Sequence, residues 1–123
     1  MKAFLLIAHG SRVETSNEEV RQLTARLQST VRDRFDVVKC AFLELAEPSI
    51  PEGVQQCIDA GATEVLAVPY FLAAGRHVKE DIPAELNKKR EEHPAVEIRL
   101  CDYLGKSPAV AGLLAELAEQ SVA

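Results

Sequence analysis

The sequence predicts an α/β fold with a four-stranded parallel sheet in the order 2-1-3-4 and helices on both faces. Three observations predict it. Strand-like apolar runs alternate four times with amphipathic helical segments. The first run, Phe4 to Ala8, is continuously apolar, as a strand covered on both faces should be. Capping residues, glycine and proline stand at the junctions. Right-handed crossovers leave few strand orders, and 2-1-3-4 is the simplest, giving a flavodoxin-like three-layer sandwich.

Each element follows from local pattern. After the first strand, Ser16-Asn17-Glu18-Glu19 reads as a capping box, and Val20, Leu23, Leu27 and Val31 recur at helical spacing, so a helix should run to near Asp33. Phe35 to Leu43 reads as the second strand. Ser49-Ile50-Pro51-Glu52 is a second capping box with proline in the first turn, Val54, Cys57 and Ile58 line one face, and Gly61 stops the helix. Glu64 to Tyr70 reads as the third strand. Asp81 is the expected cap of a third helix, with Pro83 in its first turn, Leu86 inward and charged residues from Lys88 to Glu92 at its outer end. Val96 to Leu100 reads as the fourth strand. Ser107-Pro108 opens a last helix with Val110, Leu113, Leu114 and Leu117 on one stripe.

Length and composition bound the function. The 123 residues suffice for one core, so residues 1–123 are expected to form a single domain. Hydrophobic residues make up 47% of the chain, which excludes disorder as the default. The net charge is -5 and only Lys88, Lys89 and Arg90 cluster, so nucleic acid is not an expected partner. No apolar run approaches membrane-spanning length. The apolar run from Ala3 to Ala8 is short, ends at His9-Gly10 and lacks a small-x-small site, so it reads as a strand rather than a signal peptide. Cys40, Cys57 and Cys101 form no CxxC and cannot all pair within one chain, as suits buried thiols in a reducing cytoplasm.

In open parallel sheets ligands sit beyond the carboxyl ends of the strands, at the switch point, which here lies between strands one and three. His9 follows strand one, Glu44 follows the apolar part of strand two, and His77 lies in the loop after strand three. These three side chains are the candidates for convergence at one rim. Two imidazoles and a carboxylate suit a borderline divalent metal and leave coordination positions open. Taken singly, each has a plainer reading: a polar turn for His9 and for His77, a surface carboxylate for Glu44. Glu47 competes with Glu44 but stands where it would serve a helix entrance. His93, before Pro94 at a helix end, is read as interacting with the helix dipole or water. Gly10 and Gly75 flank the two histidines and permit tight or positive-φ turns. Neither begins a GxGxxG or a P-loop, so no nucleotide is expected.

At this point the residues resemble a family. Leu5-Leu6-Ile7-Ala8-His9-Gly10-Ser11-Arg12, Phe42-Leu43-Glu44 with Pro48-Ser49-Ile50, and Val68-Pro69-Tyr70-Phe71-Leu72 with Gly75-Arg76-His77 and Asp81-Ile82-Pro83 closely resemble the CbiX/SirB class of tetrapyrrole chelatases. The likeness covers nearly the whole chain in order. It implies ATP-independent insertion of cobalt, iron or nickel into sirohydrochlorin, in cobalamin- or siroheme-type biosynthesis. It also implies that His9, Glu44 and His77 bind the metal and that the histidines act in catalysis. Many members carry two tandem copies of this unit; a single copy resembles the short form, which would complete its cleft as a homodimer.

The chemistry agrees with that reading. Metallation strips water from the ion and two protons from pyrrole nitrogens, and neutral imidazole can hold the one and accept the other. Arg12 and Arg76 flank the histidines and, with Ser11 and Lys79, are candidates to bind the substrate's carboxylates. For each cation, a solvated loop position is the plainer alternative. A histidine phosphatase would also place His-Gly after a strand, but Ala8 occupies the position where that chemistry needs arginine. A metal or tetrapyrrole carrier would use the same site without turnover. A flavodoxin-like binding module lacks its phosphate loop here.

Overall fold

The computed structural model describes residues 1–122. Strands β1 (Lys2–Ala8), β2 (Val37–Phe42), β3 (Glu64–Pro69) and β4 (Glu97–Leu100) alternate with helices α1 (Glu14–Thr30), α2 (Ile50–Asp59), α3 (Ile82–Glu92) and α4 (Ala109–Gln120). The sheet is parallel throughout, in the order β2-β1-β3-β4. The expected order and fold class are therefore observed. Strand ends differ from expectation by one to two residues, where pairing rather than apolarity sets the limit.

The two faces of the sheet differ in how they are covered. Ala3, Leu5 and Ile7 alternate along β1 and pack with Val65, Ala67 and Ile98 beneath α2 and α3, where Val54, Cys57, Ile82 and Leu86 are buried. On the opposite face Leu6, Ala8, Val38 and Phe42 are buried, with α1 packed along β2. At β1's start, Phe4 meets Phe35 edge-on at 5.4 Å.

The capping box of α2 forms as predicted: Ser49 Oγ accepts from the Glu52 N–H, and the Glu52 carboxylate accepts from the Ser49 N–H. The helix ends before Gly61, at φ +107°. The box expected at Ser16 does not form. Helix α1 begins three residues earlier, with Val13 rather than Ser16 at the N-cap position and Glu14 as its first residue, and with no side-chain cap. The reason is Asn17, buried under the first turn. Its side chain accepts from the Ser11 N–H and donates to the Ser11 carbonyl, which ties the preceding loop to the helix and draws residues 14–16 into it. Helix α1 ends at Thr30, short of Asp33. Lys89, expected on the outer end of α3, is buried: its ammonium donates to Gln55 of α2 and pairs with Glu92.

Helix α4 departs furthest from expectation. Its apolar stripe does not pack on the sheet; Leu113, Leu114 and Leu117 are all more than half exposed. Within the chain α4 packs chiefly against the short 3-10 turn Leu104–Lys106 that precedes it.

Candidate metal centre

The site begins with two backbone hydrogen bonds beyond the strand ends. Leu43 N–H donates to Ala8 O, and Glu44 N–H donates to His9 O at 3.0 Å. They prolong the β1–β2 pairing by one step into the loops. Gly10 makes this approach possible: its φ is +94°, and a Cβ there would stand 1.7 Å from the Glu44 carbonyl oxygen. His9 and Glu44 are thus delivered side by side, with His9 Nε2 and Glu44 Oε2 2.8 Å apart.

His77 arrives from the other side. The segment after β3 leads into a wide π turn, His77–Asp81, that runs directly into α3. This turn sets the His77 ring edge-on to the His9 ring, with centroids 4.6 Å apart. Phe71 packs beside His9 at 6.1 Å. One nitrogen of each imidazole and one oxygen of Glu44 lie within 4.8 Å of one another, at the open rim. The three side chains predicted to converge do so. Glu44 and His77 also line a shallow cavity of about 260 Å³ with Leu43, Asp81, Ala84 and Glu85.

Asp81 was expected to cap α3, and it does not: its backbone is helical and its side chain makes no cap bond. Its carboxylate lies 2.7 Å from His77 Nδ1 instead. That bond holds the proton on Nδ1 and leaves the Nε2 lone pair for a metal, a carboxylate–histidine arrangement common around metal ions. The sequence signal for it was the i, i+4 spacing of His77 and Asp81 on one helical turn. Asn17 and Phe71, which support the His9 loop, carried no comparable signal.

The remaining candidates are distributed around this centre. Arg12 and Lys79 are exposed, and Arg76 pairs loosely with Glu80 at 3.6 Å. Ser11 shapes the turn: its Oγ accepts from the Val13 N–H. Gly75, unlike Gly10, has an ordinary φ and open space about it, so no strained turn depends on it. Glu47 contributes only its carbonyl, which accepts from Arg21. His93 lies at the end of α3, where its Nε2 stands 3.0 Å from Gln55 Oε1 of α2.

Comparison with known proteins points the same way. A family model described as CbiX matches residues 3–121. A sirohydrochlorin ferrochelatase of Priestia megaterium is 34% identical over 94% of this chain and 43% of its own length. A sirohydrochlorin cobaltochelatase of Sulfurisphaera tokodaii is 32% identical, over 98% of this chain and 93% of its own. The sirohydrochlorin chelatase SirB from Bacillus subtilis subspecies spizizenii, solved with cobalt, superposes with a TM-score of 0.87 at 29% identity, covering 98% of this chain and 50% of that one. This chain spans 43%, 56% and 64% of three of the curated relatives it matches, and nearly the whole of others.

Proposed function

The chain belongs to the CbiX family, and on that premise we propose that it inserts a divalent metal, cobalt or iron or nickel, into sirohydrochlorin. The observation that carries the reading is the cluster of His9, Glu44 and His77 donor atoms within 4.8 Å at the carboxyl ends of three adjacent strands. Two imidazoles and one carboxylate hold a borderline cation and leave positions open for pyrrole nitrogens. The Glu44 charge offsets that of the ion. Asp81 orients His77.

Insertion exchanges one dication for two pyrrole protons. As the ion moves onto the macrocycle nitrogens, His9 and His77 are released as ligands. Each freed Nε2 then accepts one of the two protons, which balances the step. Arg12, Arg76 and Lys79 stand near the rim to meet substrate carboxylates, Arg by paired hydrogen bonds. The Ser11 hydroxyl keeps its proton available for the same purpose.

The same reading includes a homodimer. SirB is about twice as long as this chain, so one SirB chain has the length of two such units. A second copy would supply the missing half of the cleft around a half-exposed site. A reducing cytoplasm suits the three free cysteines. A carrier with the same ligands would bind the metal without turnover.

Anaerobic incubation with sirohydrochlorin and Co, Ni or Fe, followed by absorption spectroscopy, tests the proposal. Metal-dependent metallation above the uncatalysed rate is expected. His9→Ala and His77→Ala should each remove most of it, with His93→Ala near wild type. Metal binding with no turnover would establish the carrier instead. Full turnover in either rim variant would overturn the assigned site.

A further inference from the structure

The two loops that carry His9 and Glu44 are joined at their bases and, separately, at their outer ends. The basal join is the pair of backbone bonds already described, Leu43 N–H to Ala8 O and Glu44 N–H to His9 O. Beyond it the His9 and Glu44 side chains are 45% and 49% exposed, so packing alone does not set the distance between them. Loops joined only at the base can splay. A tie farther out along each loop prevents that, and helix α1 supplies one.

On the β1 loop, Asn17 grips the backbone of Ser11, just past His9. Its Oδ1 accepts from the Ser11 N–H at 2.9 Å, and its Nδ2 donates to the Ser11 carbonyl at 2.8 Å. The second Nδ2 hydrogen goes to Glu14 Oε2 at 3.1 Å. The other Glu14 oxygen accepts from Arg21 Nη1 at 2.6 Å, with a longer contact from the same nitrogen to Glu18 at 3.4 Å. Arg21 Nη2 then reaches the β2 loop and donates to the carbonyl of Glu47, just past Glu44, at 3.3 Å. These bonds run from Ser11 to Glu47 without a gap. Helical geometry makes the chain possible, because Glu14, Asn17 and Arg21 share one face of the opening turns of α1.

Each link is itself held in place. Asn17 is buried, with its acceptor and both donor hydrogens in use. Hydrogen bonds from Arg21 and then from Asn17 hold the Glu14 carboxyl below its ordinary range, so both of its oxygens stay acceptors. The Arg21 guanidinium lies 5.4 Å from the centroid of the Phe42 ring, and Phe42 is fully buried and paired in register with Ala8, the residue before His9. A single exposed ion pair contributes little to stability. What Arg21 adds is direction: its planar fork sets Nη1 on the anchor of one loop and Nη2 on the other. We propose that Arg21 is a positioning residue for the metal centre, which through Glu14 and Asn17 ties the two loops together and holds His9 and Glu44 at coordinating separation. The inference rests on the metal-centre reading above and adds to it a residue that touches neither the metal nor the substrate.

Cobalt titration of the full chain, followed through the absorption of the bound ion, tests this with Arg21→Met and Asn17→Asp. Each substitution makes the local charge more negative by one, so Coulomb attraction alone would tighten the binding of a dication. The tie requires the opposite sign: each variant should bind cobalt about 10-fold more weakly. Because both break the same chain of bonds, the double variant should also lose about 10-fold rather than about 100-fold. Unchanged or tighter binding in Arg21→Met, or losses that multiply in the double variant, would overturn the proposal. Should Asn17→Asp fail to fold, Glu14→Gln takes its place in the cycle, since its amide NH2 would face one of the two donors that Glu14 now accepts from. A metal-free measurement accompanies the titration. The Glu44 amide, which donates to His9 O, should exchange its hydrogen at least ~10-fold faster in Arg21→Met, although Arg21 makes no bond to Glu44. Exchange at the wild-type rate would overturn the tie. A wild type that bound no cobalt would instead refute the metal-centre reading, and the exchange rates would still decide whether Arg21 ties the loops.

Discussion

Replacing Gly10 by alanine is expected to disable the metal centre without touching any of its ligands. The new Cβ would stand 1.7 Å from the Glu44 carbonyl oxygen, where ordinary contact begins near 3.4 Å. The β2 loop would therefore have to retreat by about 1.7 Å, the difference between those two distances. Metal–ligand bonds from nitrogen and oxygen are only about 2.0–2.2 Å long, so a shift of this size takes the Glu44 carboxylate out of coordination range. The Glu44 N–H bond to His9 O would break with it. The backbone adds its own cost, because alanine at φ +94° is strained by roughly 1 kcal/mol or more. Cobalt affinity, followed through the absorption of the bound ion, should fall at least ~10-fold, and the unfolding midpoint in urea should drop by ~1–3 kcal/mol equivalent. Gly75→Ala is the control: with ordinary φ and open space it should be neutral or slightly stabilising. If Gly10→Ala binds cobalt as the wild type does and unfolds at the same urea concentration, the close approach of the two loops does not build the site.

Two further predictions rest on single observations. Asp81→Asn keeps the shape of the His77 partner but removes its charge, so cobalt affinity should weaken ~10–100-fold with near-native circular dichroism; an unchanged affinity would leave His77 oriented by the π turn alone. Burial pushes the Cys57 thiol from its ordinary 9.0 up to about 11, so the folded state favours the protonated form. The stability this represents is whole below pH 9 and is lost as pH rises toward 11, by up to ~2–3 kcal/mol. Cys57→Ala should therefore show a shallower alkaline decline in urea stability than the wild type, and parallel declines would contradict the assignment.

The sequence by itself determined the strand order, the α2 capping box and the three metal-ligand candidates. These depend on short-range pattern: apolar runs of strand length, Ser49 three residues before Glu52, and polar residues placed just after strands. A parallel sheet turns that placement into proximity, because its strand ends share one rim. What the tertiary structure decided lies in contacts between segments distant in sequence or competing locally for the same group. Ser16 looked like a cap until Asn17 was bonded to Ser11. Asp81 looked like another until its carboxylate met His77. The need for glycine at position 10 arises from Glu44, 34 residues away, whereas Gly75, equally plausible in sequence, faces open space. Periodicity showed that α4 has an apolar face. It could not show what that face meets, and only the packing of the folded chain leaves Leu113, Leu114 and Leu117 more than half exposed.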